Sequence, residues 1–456
     1  MRFSAASLAQ LCGGRLVNGD CAFDEISIDS RTLASGSLFV ALRGPNFDGH
    51  EYVAAAAAAG AVAALVERQL PVTVPQVVVP DALAALAIFA RHWRRSLTLP
   101  VIGVTGSNGK TTTKEIIGAI LARLGPCLVT HGNLNNHIGV PLTLLRLKAS
   151  HRSAVIEMGA NHLGEIAQLA GVAEPSIGIV TNAGAAHLEG FGTLEGVAQG
   201  KGELFQALPP GGVAVINADD TFASKWSAVS TASRTLTFGL TGSADFTAAA
   251  IDQRADAAGF RSEFELVTAQ GRRNITLRLA GEHNIRNALG AAATAFAAGA
   301  SLDEIAAGLA DVQPVSGRLQ LRATLNGAVI VDDAYNANPS SLKAGLDAMR
   351  SLAGERWLVL GDMRELGADA DQLHAQVGQY AREYARIDRL LAIGTHTPHA
   401  VKAFGPGAQW YPDIETLIAA LRTDLHSGIS VLIKGSRANR LERVTAALVG
   451  GTPAVH

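Results

Sequence analysis

An apolar segment, Leu99 to Val104, runs into the turn Thr105-Gly106-Ser107-Asn108-Gly109-Lys110-Thr111-Thr112-Thr113, and apolar residues at helical spacing follow from Lys114 to Leu121. This stretch constrains the fold more than any other in the chain. A buried strand, a Gly-containing turn, Lys-Thr and a helix, in that order, make a phosphate cradle. Backbone N–H groups and the positive helix N-terminus face the anion. Lys110 is then placed to reach outer phosphates, and Thr111 to offer a hydroxyl to Mg²⁺. The spacing departs from the usual one, because Val104 stands where a glycine commonly lies six residues before the Lys, although Gly106 and Gly109 still bracket the turn. The alternative is a structural Gly turn with an accidental Lys-Thr, and it must explain why strand and helix flank the turn on the correct sides.

A chain of 456 residues is too long for one ordinary core, so two or three domains are expected. With 48% hydrophobic and 17% charged residues it reads as globular. A net charge of −2 and 5% aromatic residues leave no basic or base-stacking footprint for nucleic acid. Cys12, Cys21 and Cys127 are odd in number and lack metal spacing, which reads as reduced, mostly buried thiols of a cytosolic protein. Gln10 and Arg15 interrupt any secretory signal, and the Ala-rich segment Val53 to Val66 is too short and weakly apolar to span a membrane, so it is read as a packed helix. A cytoplasmic chain without membrane insertion, monomeric by default, is expected.

The pattern predicts an α/β protein of three domains: residues 1–98, residues 99–312 with a mostly parallel sheet around the phosphate turn, and residues 313–456 with a Rossmann-like open sheet. In the middle unit, apolar runs alternate with helical patterns at Val101–Val104, Cys127–Thr130, Ala154–Glu157, Ile177–Thr181, Val213–Asn217 and Thr235–Phe238. Thr247 to Ala280 alternates differently and reads as an antiparallel extension. In the last unit, strands followed by Gly361, Gly394 and Gly435 suggest the second open sheet.

Several side chains stand where ligands bind in such folds, at the C-terminal ends of strands. Glu157 ends one strand and suits Mg²⁺, against the alternative of a solvated strand-end Glu. His187 follows another strand, where either metal ligation or an ordinary hydrogen-bonded role fits. Lys201 on its own reads as a surface helix lysine. Asn284 is placed to cap a helix, with Asn287 on the same face one turn later, an arrangement suited to an adenine edge. Asp332 and Asp333 follow a strand, and either suits a ribose hydroxyl; Arg318 is a candidate neighbouring cation or phosphate contact.

Taken together, the ordered motifs resemble the Mur ligase family of ATP-dependent peptidoglycan-precursor ligases. The resemblance rests on Asp29-Ser30-Arg31 with Gly44 to His50, Thr105 to Thr113, Gly132 to Pro141, Glu157-Met158-Gly159, Ala186 to Phe191, Lys201-Gly202-Glu203, His283-Asn284 with Asn287, Gly317-Arg318, Asp332 to Pro339, Gly361 to Gly367 and Lys434 to Arg437. It spans all three units.

The resemblance implies ATP and two Mg²⁺ ions in the middle domain, held through Thr105, Gly106, Ser107, Asn108, Gly109, Lys110, Thr111 and Thr112, with Asn284, Asn287, Arg318 and Asp333 around the nucleoside. Lys110, Glu157, His187 and Lys201 would be catalytic, with Thr111, Glu157, His187 and Lys201 at the metals and Lys201 carbamylated. Ser30, Arg31, Asn46, Asp48, His50, Asn135, Asn136 and Asn336 would bind substrate.

Tyr335-Asn336-Ala337-Asn338 has the form of the members that add a dipeptide, and the Asp-Asn-Pro-Arg run of diaminopimelate-adding members is absent. The implied reaction joins D-Ala-D-Ala to UDP-N-acetylmuramoyl-tripeptide through an acyl phosphate, with either meso-diaminopimelate or Lys as the third residue. The segments Asn336–Ser340 and Lys434–Arg437 are candidates to grip the dipeptide. A folate polyglutamylating ligase is a more distant reading. A guanine-nucleotide switch would need Asn-Lys-x-Asp, which the chain lacks.

Overall fold

The computed structural model describes residues 3–241, 243–256, 259–324 and 326–449. Three main sheets follow one another along the chain. The first has five strands in the order Arg15–Val17, Gln76–Val78, Ala63–Val66, Ser37–Val40, Glu25–Ser27, all parallel except the first pair. The second has nine, in the order Cys127–Val129, Ser153–Glu157, Val101–Thr105, Ile177–Val180, Val213–Asn217, Arg234–Phe238, Phe246–Asp256, Gly259–Thr268, Gly271–Leu277. The third has six, in the order Gln320–Ala323, Val329–Asp332, Ile429–Lys434, Glu355–Gly361, Arg389–Ile393, Ala408–Tyr411. The architecture is three-domain α/β, as the apolar patterning predicts.

Strand order in the middle sheet explains where a ligand can sit. The chain moves from Val101–Thr105 to one side of the sheet and later returns to its other side at Ile177–Val180. That reversal opens a crevice beyond the C-terminal ends of the two strands. All residues of both strands are buried, as expected for a sheet covered on both faces. The helix Lys110–Leu121 rises from the crevice and buries Ile116, Ile117, Ile120 and Leu121 against Ile102, Val104 and Ile179. The extension Phe246–Asp256, Gly259–Thr268, Gly271–Leu277 is antiparallel, in accord with its altered alternation.

The helix Ala82–Arg95 joins the first sheet to the middle one. Leu86 and Phe89 share a core with Val140, Leu144 and Leu169. Its last turn is basic, and Arg91 and Arg95 pair with Glu174 at 2.8 and 2.5 Å. Residues beyond 312 pack through two apolar layers, one of which also takes in Phe260 and Ala280 of the middle domain.

Several sequence expectations need correction. The Ala-rich run Val53 to Val66 is not one helix. A helix occupies only Val53–Ala58, Gly60 turns the chain at φ 110°, and Ala63–Val66 is a fully buried parallel strand. Alanine favours helix locally, but pairing on both edges of Ala63–Val66 overrides it. Asn284 does not cap its helix, which starts at Glu282 behind Gly281. The three cysteines are free and half-buried rather than buried. The edge strands Gln320–Ala323 and Ala408–Tyr411 escaped the pattern because both are short and incompletely buried.

Candidate active site

The phosphate turn is locked from beneath by the neighbouring strand end. Ser107 N donates to Asn182 O, and Asn108 N donates to Asn182 Oδ1 at 3.0 Å. Thr181 Oγ1 donates to Asn108 O at 2.6 Å. Glycine is required at two places. Gly106 has φ 144°, and a Cβ there would lie 1.9 Å from Thr181 Oγ1. Gly109 has φ 80°, and a Cβ would lie 2.5 Å from Asn287 Oδ1. Lys110, on the first helical turn, folds back to donate to Gly106 O at 2.6 Å and Ser107 O at 3.2 Å. Burial lowers its ammonium pKa, while Glu157 opposes that shift.

Two clefts meet at this turn, between the middle and last domains. The first, about 530 Å³, is lined by Lys110, Thr111, Asn135, Asn136, Glu157 and His187 on one side, and by Arg318, Tyr335, Asn336, Arg364, Glu365 and Arg437 on the other. The second, about 430 Å³, is lined by Thr112, Asn284, Asn287, Arg318, Asp333 and Lys434 among others. Arg318 borders both, stacked with its guanidinium 4.3 Å from the Tyr335 ring centre.

In the first cleft, Glu157 is 2% exposed. Its Oε1 accepts from Asn135 Nδ2 at 2.8 Å, whereas its buried Oε2 has no hydrogen-bond partner. Lys114, one helical turn beyond Lys110, is fully buried with its Nζ 3.8 Å from Glu157 Oε2 and donating to Thr130 O at 2.7 Å. An unsatisfied buried carboxylate oxygen in the cleft that Thr111 also lines suits a divalent cation. His187 stands at φ 56° with Nδ1 in close contact with Glu365 Oε2. That contact holds the Glu365 carboxyl below its ordinary pKa.

Lys201 does not line either cleft. It is 1% exposed, donates to Ala160 O at 3.0 Å, and lies 4.9 Å from the Phe191 ring centre. Burial, with the Lys110 charge adding to it, pushes its pKa down to about 7. Among the described residues, no three or more His, Cys, Asp or Glu side chains are grouped to hold a metal ion.

In the second cleft, Asn284 Oδ1 accepts from Asn287 Nδ2 at 3.1 Å and its own Nδ2 donates to Ala280 O. Between the two acids left open by the sequence, Asp333 lines the cleft and Asp332 does not. Asp332 instead accepts from Ala334 N, and burial raises its pKa.

Other expected site residues have different neighbours. Thr105 is fully buried and donates to Met158 O at 2.8 Å, so its side chain cannot face a nucleotide. The Asn108 side chain reaches across the domains, accepting from Asn338 Nδ2 at 2.7 Å and donating to Ser340 Oγ at 2.9 Å. Asn136 Oδ1 accepts from Ile138 N at 3.1 Å and Gly139 N at 2.9 Å, where the helix Gly139–Leu144 begins. None of Ser30, Arg31, Asn46, Asp48 or His50 lines either cleft. The Arg31 guanidinium pairs with Asp29, holding that carboxyl at about 2. The His50 side chain is buried, its Nδ1 meets Asp48 Oδ1 at 2.5 Å, and its Nε2 accepts from Glu67 N at 2.8 Å.

Lys114, Asn182, Arg364 and Glu365 were missed as site residues. Only Lys114 carried a local signal, its position four residues after Lys110 on one helical face.

The domains match known families in chain order. Residues 22–94 match the model described as Mur ligase family, catalytic domain; residues 104–295 match the Mur ligase middle domain; residues 317–437 match the Mur ligase, glutamate ligase domain. The chain is 42% identical over 446 residues to the UDP-N-acetylmuramoyl-tripeptide–D-alanyl-D-alanine ligase of Escherichia coli (strain K12), covering 97% of each. It is 37% identical to the protein of that name from Mycobacterium tuberculosis (strain H37Rv), covering 98% of each. A crystal structure of MurF from Acinetobacter baumannii superposes with a TM-score of 0.91 at 35% identity over 99% of both chains. MurF ligase from Thermotoga maritima in complex with ADP gives 0.81 at 28% identity, over 93% of this chain and 96% of that one. The chain belongs to the Mur ligase family.

Proposed function

We propose that this chain uses ATP to join D-Ala-D-Ala to UDP-N-acetylmuramoyl-tripeptide in peptidoglycan-precursor synthesis. The observation that carries the reading is one cleft that holds Lys110, Glu157 and His187 against a second domain, in a chain whose full-length relatives bear that ligase name. We place the working units at residues 1–98 for the UDP-sugar end, 99–312 for ATP, and 313–456 for nucleotide closure and the dipeptide.

A carboxylate does not accept an amine directly, because oxide is a poor leaving group. The precursor's terminal carboxylate attacks the γ-phosphorus, ADP leaves, and an acyl phosphate forms. The dipeptide amine then attacks the acyl carbon, its proton is lost, and phosphate departs. Both reactants of the first step are anions, so positive charge must be fixed where they meet. Lys110 supplies it from a helix N-terminus, and Arg318 borders the same space. Thr111 and the unpartnered Glu157 oxygen would hold Mg²⁺, which when bound neutralises phosphate oxygens.

His187 and Lys201 would hold a second ion once the Lys201 amine has combined with CO₂, releasing a proton to become a carbamate. A pKa near 7 favours that step, since only the neutral amine reacts. Asn284, Asn287 and Asp333 would take the nucleoside in the second cleft. Ser30, Arg31, Asn46, Asp48 and His50 would meet the UDP-sugar end, with the Asp48 carboxylate and the His50 backbone and ring already joined to each other. Closure of the last domain keeps water from the acyl phosphate.

The test is product mass after incubation with ATP, Mg²⁺, UDP-N-acetylmuramoyl-tripeptide and D-Ala-D-Ala. A gain equal to the dipeptide less one water supports the reading; unchanged precursor overturns it.

A further inference from the structure

The first cleft carries a cationic excess. Lys110, Arg318, Arg364 and Arg437 line it, and Glu157 and Glu365 are its acidic lining residues. That balance suits phosphates and carboxylates but repels an incoming amine, which arrives at neutral pH as an ammonium. Glu157 is buried on the middle domain and already engaged by Asn135. Glu365 is half exposed, on the domain that closes the cleft.

The loop around Glu365 is fixed in place by its neighbours. The Asp362 carboxylate accepts backbone N–H groups of Thr395, His396 and Thr397 at 2.8, 2.9 and 3.2 Å. Met363 N donates to His374 Nε2 at 3.0 Å, and Arg364 N donates to Ser436 Oγ at 2.8 Å. Immediately after these anchors Glu365 adopts φ 62°, a conformation disfavoured for a residue with a Cβ. Backbone strain maintained by surrounding bonds is a feature of functional positions. Here it accompanies a carboxylate that lines the cleft and touches the imidazole of His187 on the opposite domain.

We propose that Glu365 receives the ammonium group of the incoming dipeptide, which replaces His187 as its partner. The inference rests on the ligase reading above and adds a residue that orients the nucleophile. Without the dipeptide, the carboxylate contacts His187 across the domains; with it, the ammonium is held beside the carboxyl group to be attacked and releases one proton to solvent to become the neutral amine that attacks.

Steady-state kinetics of the full chain and its E365Q and E365D variants test this. In E365Q the KM for D-Ala-D-Ala rises roughly 10- to 100-fold, the effect of losing a charged hydrogen-bond partner, while those for ATP and UDP-N-acetylmuramoyl-tripeptide stay within about twofold. E365D recovers part of the loss. A dipeptide analogue with hydroxyl in place of the amine gives a second readout as an inhibitor. Wild type discriminates against it relative to the dipeptide, and E365Q discriminates less. An unchanged dipeptide KM in active E365Q, or an equal rise in all three KM values, overturns the assignment. Absence of turnover in the wild type would instead count against the ligase reading itself.

Discussion

Lys434 Nζ lies 2.5 Å from Asp333 Oδ2, at the ends of two adjacent parallel strands. Both residues are buried, and the lysine also donates to Asn336 O at 3.0 Å. Burial lowers the Lys434 pKa and the aspartate opposes the shift. The pair therefore holds together the strand ends that line the second cleft. Lys434→Met leaves a buried carboxylate without its cation, so we expect a loss of about 3–5 kcal/mol. Denaturant unfolding of the full chain, wild type against variant, measures it. A loss below about 1 kcal/mol would mean that water already satisfies Asp333.

Lys110→Ala removes the cation at the first turn of the phosphate helix. Turnover should fall by at least about 10²-fold, while binding of the precursor to the full chain without ATP persists. Calorimetric titration with UDP-N-acetylmuramoyl-tripeptide, beside a phosphate-release assay, separates the two effects. Full activity in the variant would remove Lys110 from the chemistry.

Gly109→Ala places a Cβ against Asn287 and forces a left-handed backbone on alanine. The backbone cost alone is about 1–2 kcal/mol. Because Gly109 borders both clefts, nucleotide affinity should fall with stability. Thermal shift with and without ADP reads both: a lower melting temperature and a reduced gain on adding nucleotide.

The Lys201 amine has a pKa of about 7 here against 10.5 ordinarily. Between those values the folded chain binds fewer protons than the unfolded one, so this group makes stability rise with pH across that window. Below about 7 its penalty is complete. The same titration controls carbamate formation, which should grow as pH rises from about 6 to 8. A ¹³C resonance from labelled bicarbonate, present in the wild type and lost in Lys201→Ala, would report it. No resonance at any pH would leave the second ion without its proposed ligand.

Asn108 links the phosphate turn to Asn338 and Ser340 of the last domain. Asn108→Ala removes both bonds and leaves the turn's backbone contacts with Thr181 and Asn182 in place. We expect the domains to separate more readily and the KM for ATP to rise several-fold, the effect of about 1 kcal/mol per bond. Small-angle scattering should show a larger radius for the variant; an unchanged radius and KM would make the bridge incidental.

What was legible in the sequence was local. The phosphate turn announces itself because strand, glycines, Lys-Thr and helix lie within a few residues of one another. Glu157 and the pair Asp332 and Asp333 could be picked out because strand ends are visible as breaks in apolar runs. The Val53 to Val66 run misled because alanine's helix preference is intrinsic, whereas the edges that make Ala63–Val66 a strand are supplied by distant segments. Relationships across the fold left no trace in spacing. Asn108 and Ser340 are 232 residues apart, and Lys434 and Asp333 are 101 apart. Glu365 was read as part of a motif but not as a site, because its placement depends on anchors from Asp362, His374 and Ser436.

The central claim is that the cleft beside Lys110 lets ATP activate a carboxyl group for amide synthesis. The most direct test is mass spectrometry of phosphate and product after turnover with UDP-N-acetylmuramoyl-tripeptide carrying ¹⁸O in its terminal carboxylate. The account predicts one labelled oxygen in each phosphate released, matched one for one by product, and only when D-Ala-D-Ala is present. Unlabelled phosphate accompanying product, or phosphate released from ATP with neither substrate present, would contradict it.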